Sequence, residues 1–319
     1  MEGSLGNSMA WVHNIGLYAI PAFLLLLAVE YLADYLERRS DRRAGRGRDQ
    51  RGRVGFSARD TVASLSVYGL GRVAKLVEDF IELPIVVIAA AFAPATLSAS
   101  DWWVWVLALV GADLAYYAKH RMQHRVRLFW AAHSVHHSSQ HFNMSTAVRL
   151  PWLIPGQFLT SVVYIPMALI GIPVWLIFLG QAIVLLYQYP LHTERIGKLP
   201  PAVEFVFNTP SHHRVHHGSN NPYLDRNYGG ILIVWDRLFG SYADEVERVR
   251  YGLTHNIATY NPVKVNYHEF ALMVRDVCRA RTWGARAGYL LRWPGWTEPT
   301  PPADTRPAAE VLVPAARAV

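Results

Sequence analysis

The stretch WWVWVLALVGADLAYYAKHRMQH, residues 102–124, decides the fold. Trp102 to Tyr117 is apolar or aromatic except for Asp113, and it opens with the tryptophans expected where a helix enters a bilayer interface. Nothing breaks the helical pattern through Ala118 and Lys119, so the helix runs on into His120 and His124. These are four residues apart and therefore on one face. A membrane span that emerges carrying a histidine pair is the unit around which the other segments are read.

Two further clusters share that logic. In HSVHH, His133, His136 and His137 stand at i, i+3 and i+4, and in HHRVHH, His213, His216 and His217 repeat the spacing. Each cluster projects its imidazoles from one helical face. Eight imidazoles turned to a common point exceed what one four- to six-coordinate ion can use, so two metals sharing them is the natural expectation. Clustered histidines can also decorate a solvated face, but three spaced clusters drawn from 14 histidines argue against decoration. His212 points about 100° away and is expected beside the site or at the surface. His13, His141, His255 and His268 have no partner at ligand spacing.

Composition sets the environment. Hydrophobic residues make up 52% and charged residues 17% of 319, in long apolar blocks. The formal charge of +7 owes much to Arg38–Arg59, a segment beside an apolar run, and fits the positive-inside rule or anionic lipid better than nucleic acid. Cys278 is the single cysteine, which excludes a disulfide framework and thiolate metal sites.

Ile15 to Leu36 is long enough to cross about 30 Å of hydrocarbon and lacks the charged start of a secretory signal, so it is expected to stay. The arginines after it place that end in the cytoplasm and the N-terminus outside. From Asp60 to Leu97, charges at Arg72, Lys75, Glu78, Asp79 and Glu82 interrupt the pattern. An interfacial helix followed by a second span at Leu83–Leu97 is expected, with one long helix kinked near Pro84 as the alternative. Trp152–Ile170 and Pro173–Tyr189, parted by Gly171-Ile172-Pro173, form a hairpin of spans. All three clusters then fall on one side of the bilayer.

The expected fold is an all-α integral membrane protein of four to five transmembrane helices with a cytoplasmic helical cap holding a dimetal site. Its expected parts are 1–112, N-terminal spans and the arginine-rich loop; 113–251, the catalytic domain; 252–296, a helical region; and 297–319, a disordered tail.

His192, leaving the last span, is a further ligand candidate. Thr209, Pro210 and Gly218 can bound a short helix for the third cluster. Asp113, two turns before His120, could hold a ligand histidine through its second ring nitrogen, or serve only as a polar contact between helices. Asn143, Asp225, Asn227, Tyr228 and Asp236 are candidates to orient ligands, although Asp225 to Asp236 could equally just hold a loop. Asn143 also opens a formal glycosylation sequon, idle on the cytoplasmic side. There is no HExxH, GxSxG, GxGxxG helix start, P-loop or ExxH pair. An all-histidine site of this kind could hold zinc for hydrolysis or iron for dioxygen activation.

The pattern HxxxH, HxxHH, HxxHH after a transmembrane helix resembles the fatty acid hydroxylase and sterol desaturase superfamily of membrane non-haem di-iron oxygenases. The resemblance runs through DLAYYAKHRMQH, FWAAHSVHHSSQHFNMSTAVR, LHTERIGKL and FNTPSHHRVHHGSNNPYLDRNYGGILIVWDRLFG, roughly Asp113 to Tyr251. The last two segments look most like the alkylglycerol monooxygenase branch. It implies that His120, His124, His133, His136, His137, His192, His213, His216 and His217 hold two iron ions. It also implies that dioxygen is a co-substrate and that one oxygen atom enters a lipid C–H bond. In that branch the bond lies next to an ether oxygen, and tetrahydropterin supplies the electrons; another donor is the alternative. Arg125 and His141 depart from the branch, whose members carry an acidic residue at both places. Sterol, carotenoid or acyl-lipid hydroxylation or desaturation is the alternative chemistry, and a zinc hydrolase or scaffold the alternative class. The expected partners are a lipid, the membrane and an electron donor, without nucleic acid. The excess of arginine over lysine associates with GC-rich bacteria, hence an inner membrane.

Overall fold

The computed structural model describes residues 15, 17–44 and 53–299. His13, part of the arginine-rich segment and most of the expected tail lie outside the described residues. Among the described residues there are helices and two isolated β-bridges, Phe207 to Leu232 and Gly218 to Tyr251, and no strand.

Helix α1, Ile20–Arg43, is inside out by the standards of a water-soluble protein. Leu25 is 64% exposed and Leu32 54%, while Glu30 is 5% exposed. A helix that buries its glutamate and presents leucines outward suits hydrocarbon surroundings. Helix α2, Ala58–Ala90, is one continuous helix through Pro84, so the expected division into an interfacial helix and a separate span at Leu83–Leu97 is corrected. The helix ends at Ala90, before the turn at residues 91–92.

Helix α3, Trp102–Arg125, carries the opening stretch without a break into His120 and His124. Only Val126, extended at φ −122°, ψ 119°, separates it from α4, Arg127–His137. This one-residue corner folds the second cluster back against the first. The far side of α4 is apolar: Ala132 and Val135 pack with Val67 of α2, Ile154 and Val265. Arg127 ties the start of α4 to Glu269 at 2.9 Å and Asp276 at 2.8 Å, both on α12, Pro262–Arg279.

The expected span Trp152–Ile170 is not one helix. After the short α5, Met144–Ala147, the chain forms α6, Pro155–Leu159, a 3-10 turn at Thr160–Tyr164 and α7, Ile165–Leu169. Pro155 and Pro166 each sit at the start of a piece, where a proline lacking its N–H is tolerated, whereas inside a continuous helix it would remove a hydrogen bond. Helix α8, Val174–Gln188, follows. Four to five crossings are expected from the sequence. Among the described residues one helix, Val174–Leu191, is both long and apolar enough to cross a membrane, and Phe80–Ala90 is a shorter apolar helix. Charges in α1 and α2, and tryptophans and tyrosines in α3, dilute the hydropathy of the others.

The main core lies where α3 meets α7 and α8, built on Val104, Ala108, Ala112, Met167, Leu176 and Ile177, with Val86 and Ala89 of α2. Small residues set the approach of α3 and α8. A Cβ on Gly180 would lie 2.7 Å from the Ala112 Cβ and 3.3 Å from the Ala108 carbonyl oxygen. Gly180→Val is therefore expected to push the helices apart and cost about 1–3 kcal/mol. Its thermal unfolding midpoint in detergent, against that of Leu185→Ala on the exposed side of α8, checks this.

Short helices α9, Pro201–Val206, α10, Pro210–His216, and α11, Val234–Leu238, carry the third cluster and its supporting loop. Helix α13, Trp283–Leu291, completes the described chain beside α12.

Candidate metal centre

The four elements that bear histidines converge. Potential ligand atoms of His120, His124, His133, His137 and His216 form one group, and those of His136, His192, His213 and His217 a second; within each group the atoms lie within 4.8 Å of one another. All nine side chains are buried. The groups adjoin: the rings of His137 and His217 stack across the boundary with centroids 4.4 Å apart.

Local structure explains the convergence. The end of α3 supplies His120 and His124, the corner at Val126 turns α4 so that His133 and His137 face them, and α10 closes the five-histidine group with His216. His136, one helical step from His137, points instead to the four-histidine group, with His213 of α10 and His217 at its C-cap. His192 follows the 3-10 turn Tyr189–Leu191 that ends the apolar run.

Backbone carbonyls fix the tautomers. Nδ1 of His120 lies 2.9 Å from the Tyr228 oxygen, Nδ1 of His192 2.9 Å from the Gln188 oxygen and Nδ1 of His216 3.0 Å from the Arg226 oxygen. A carbonyl only accepts, so each Nδ1 must carry the proton, and a neutral ring then presents the Nε2 lone pair. Those lone pairs point at neighbouring ring nitrogens. His120 Nε2 is 2.9 Å from His133 Nε2, and His137 Nε2 is 3.1 Å from the same atom. His192 Nε2 is 2.9 Å from His213 Nε2 and 3.2 Å from His136 Nε2. Nε2 of His124, His216 and His217 is buried without any hydrogen-bond partner.

Orphaned buried ring nitrogens cost free energy unless something takes their lone pairs. Nitrogens about 2.1 Å from one ion and at right angles are about 3.0 Å apart, which matches these separations. The donor set thus fits two cations, one per group. Burial, then the neighbouring imidazoles, holds His133, His137, His216 and His217 well below the usual histidine range. His192 is pushed down to about 4 by burial, against the opposing pull of its backbone hydrogen bonds. Neutral imidazoles are the ligand form.

The surrounding polar residues divide. Asp236 accepts from Tyr228 N–H at 2.8 Å, Gly229 N–H at 2.7 Å and the Ser241 hydroxyl at 2.7 Å, fixing the backbone whose carbonyl holds His120. Asp225 Oδ1 lies 3.6 Å from His124 Nδ1, and its other oxygen pairs with Arg125 at 2.9 Å. The atypical Arg125 thus neutralises the carboxylate nearest the five-histidine group. Asn227, in the left-handed region at φ 56°, donates to the His212 and Ala243 carbonyls. The Tyr228 ring packs 5.2 Å from that of His124.

Two candidates have other partners. Asp113 accepts from Ile231 N–H, Leu232 N–H and Trp235 Nε1, the polar-contact alternative between segments. Asn143 caps α5 by accepting from Ser145 N–H and meets no imidazole. Thr209 stands at the N-cap of α10 but makes no capping bond, its hydroxyl being spent on Glu204. His212 is buried and pairs with Glu204 at 3.0 Å. His141, the second atypical residue, is bound through Nδ1 to the Gly55 carbonyl. Phe142, unnoticed in the sequence, packs on His192, His213 and His217. Its signal was only its place, five residues after His137.

Asp236→Ala would leave two buried N–H groups unpaired, at about 1–3 kcal/mol each. We expect a midpoint loss in thermal unfolding together with a roughly 10–100-fold weaker metal affinity at the five-histidine group.

Residues 105–241 match the family model for fatty acid hydroxylase. The chain is 38% identical over 243 residues to the alkylglycerol monooxygenase of Danio rerio, covering 76% of this chain and 54% of that protein. It is 43% identical over 195 residues to the Homo sapiens alkylglycerol monooxygenase, covering 61% of this chain and 43% of that one. It is 29% identical over 137 residues, 43% of this chain and 41% of the relative, to the ornithine lipid hydroxylase OlsE of Rhizobium tropici. The chain therefore spans about half the length of the curated relatives it matches. No solved structure matches.

Proposed function

We propose that the chain is a membrane-bound, oxygen-dependent lipid monooxygenase with residues 113–251 as its catalytic part, a reading supported by the match of residues 105–241 to the fatty acid hydroxylase model. The observation that carries this reading is the pair of adjoining histidine groups, five and four, each with converging ring nitrogens. His120, His124, His133, His137 and His216 would hold one iron and His136, His192, His213 and His217 the other. Iron so bound would supply dioxygen activation, one oxygen atom going to the lipid C–H bond and the other to water with two electrons and two protons from outside.

The chain's own residues keep the site ready for that chemistry. The carbonyls of Tyr228, Gln188 and Arg226 orient three ligand rings. Burial keeps the imidazoles neutral and bulk water out. The outward leucines of α1 and the apolar α8 support a bilayer setting, from which an alkyl chain can reach the end of α3. Four to five crossings, an active site on the cytoplasmic side, an external N-terminus and a bacterial inner membrane belong to this reading, supported by the arginine-rich segment and the excess of arginine.

The likeness to alkylglycerol monooxygenases favours an ether lipid as substrate and tetrahydropterin as reductant. The likeness to an ornithine lipid hydroxylase favours plain hydroxylation of a polar lipid, with another donor. Lipid mass spectrometry of cells with and without the gene separates them. Intact ether lipids should accumulate on deletion if the first holds, whereas a product heavier by one oxygen should vanish if the second does. Loss of a product lighter by two hydrogens would instead mean a desaturase. Protein from iron-replete cells that contained zinc alone would favour a hydrolase or scaffold.

A further inference from the structure

Helix α1 lies outside the part of the chain that matches the family model, yet it touches the histidine-bearing segments through one buried carboxylate. Glu30 accepts a hydrogen bond from Met144 N–H at 2.9 Å and another from the Thr193 hydroxyl at 2.5 Å. Thr193 is the residue after His192. Met144 follows the segment whose Phe142 covers the rings of His192, His213 and His217, with centroids 5.5, 6.1 and 5.0 Å away. One carboxylate thus ties together the two backbone segments that enclose the four-histidine group. It contacts nothing in the five-histidine group.

The same helix reinforces the tie on both sides. Arg195, two residues beyond Thr193, reaches Glu37 at 3.1 Å and Asp34 at 3.8 Å. Arg38 donates to the Phe56 carbonyl at 2.7 Å, and Glu194 accepts from the N–H groups of Val54 and Gly55 at 2.8 and 3.0 Å. Gly55 is at φ +65°, a conformation that favours glycine, and a Cβ there would lie 2.6 Å from Asp34 Oδ1, so the segment runs close against the side chains of α1. A buried carboxylate on a helix that turns its leucines outward is costly, and it persists where its bonds have a use.

We propose that Glu30 is a positioning residue that sets the metal affinity of the four-histidine group, making α1 part of the metal centre. This rests on the two-metal reading above.

The test is a cobalt(II) titration of the metal-free full chain in detergent, followed by the visible absorption of the bound ion, for the wild type, E30A, E30Q and H213A. The wild type should take two equivalents, and H213A identifies which of them belongs to the four-histidine group. In E30A that equivalent should weaken at least about tenfold, the scale of outer ligand support, while the other keeps its affinity. E30Q, whose amide oxygen can still accept from Met144 N–H and whose NH2 can donate to Thr193, should stay within a few-fold of the wild type. Wild-type affinities for both equivalents in E30A would overturn the proposal. So would an equal weakening of both with a lowered unfolding midpoint, which marks a mere prop, or an E30Q that is folded but as weak as E30A. Fewer than two equivalents in the wild type would overturn the two-metal reading itself, and Glu30's role with it.

Discussion

Replacing His136 with alanine is expected to empty the four-histidine group and to lower lipid turnover by at least about a thousandfold, some 4 kcal/mol of barrier. His136 is buried, its Nε2 lies 3.2 Å from that of His192, and its ring also meets those of His137 and His217. It thus touches members of both groups, His192 and His217 in its own and His137 in the other. Metal analysis should show a loss of one ion for each chain, with the five-histidine group still filled. His255→Ala, at an exposed histidine outside both groups, should change neither metal content nor turnover. Full turnover by the His136 variant would mean that the clustered histidines are not the reacting centre.

Removing the metal is expected to cost stability as well as activity. Buried Nε2 atoms of His124, His216 and His217 have no hydrogen-bond partner within the protein, so the native state depends on something that accepts their lone pairs. A ligand present at a thousand times its Kd stabilises the folded state by about 4 kcal/mol at each site. For a chain of this size that corresponds to a fall of about 10 °C or more in the unfolding midpoint once both ions are stripped. Thermal unfolding in detergent before and after chelation, and again after iron is restored, measures it. An unchanged midpoint would show that the rings satisfy one another without a cation.

The histidine clusters were legible because i, i+3, i+4 spacing is a local property that survives folding, and α3, α4 and α10 present them in that way. The division into five and four was not legible. It depends on the one-residue corner at Val126 and on His136 and His137 pointing to different groups, both matters of tertiary packing. The carbonyls of Tyr228, Gln188 and Arg226 left no trace in the sequence, since every residue has a carbonyl. Asp113 was ambiguous for a related reason: helical spacing placed it below His120, and only the fold shows the loop from Ile231 to Trp235 meeting both its oxygens. Glu30 did have a signal, as the first charged residue of α1 after an apolar run, although its partners lie more than a hundred residues away. The span at Trp152–Ile170 was over-read because hydropathy ignores what Pro155 and Pro166 do to helical hydrogen bonds.

The most direct test of the two-metal centre is anomalous scattering at the iron edge from crystals of protein isolated from iron-replete cells. Two peaks are predicted, one about 2.0–2.2 Å from ring nitrogens among His120, His124, His133, His137 and His216, the other similarly placed among His136, His192, His213 and His217. A single peak, or iron lying away from both groups, would contradict the account.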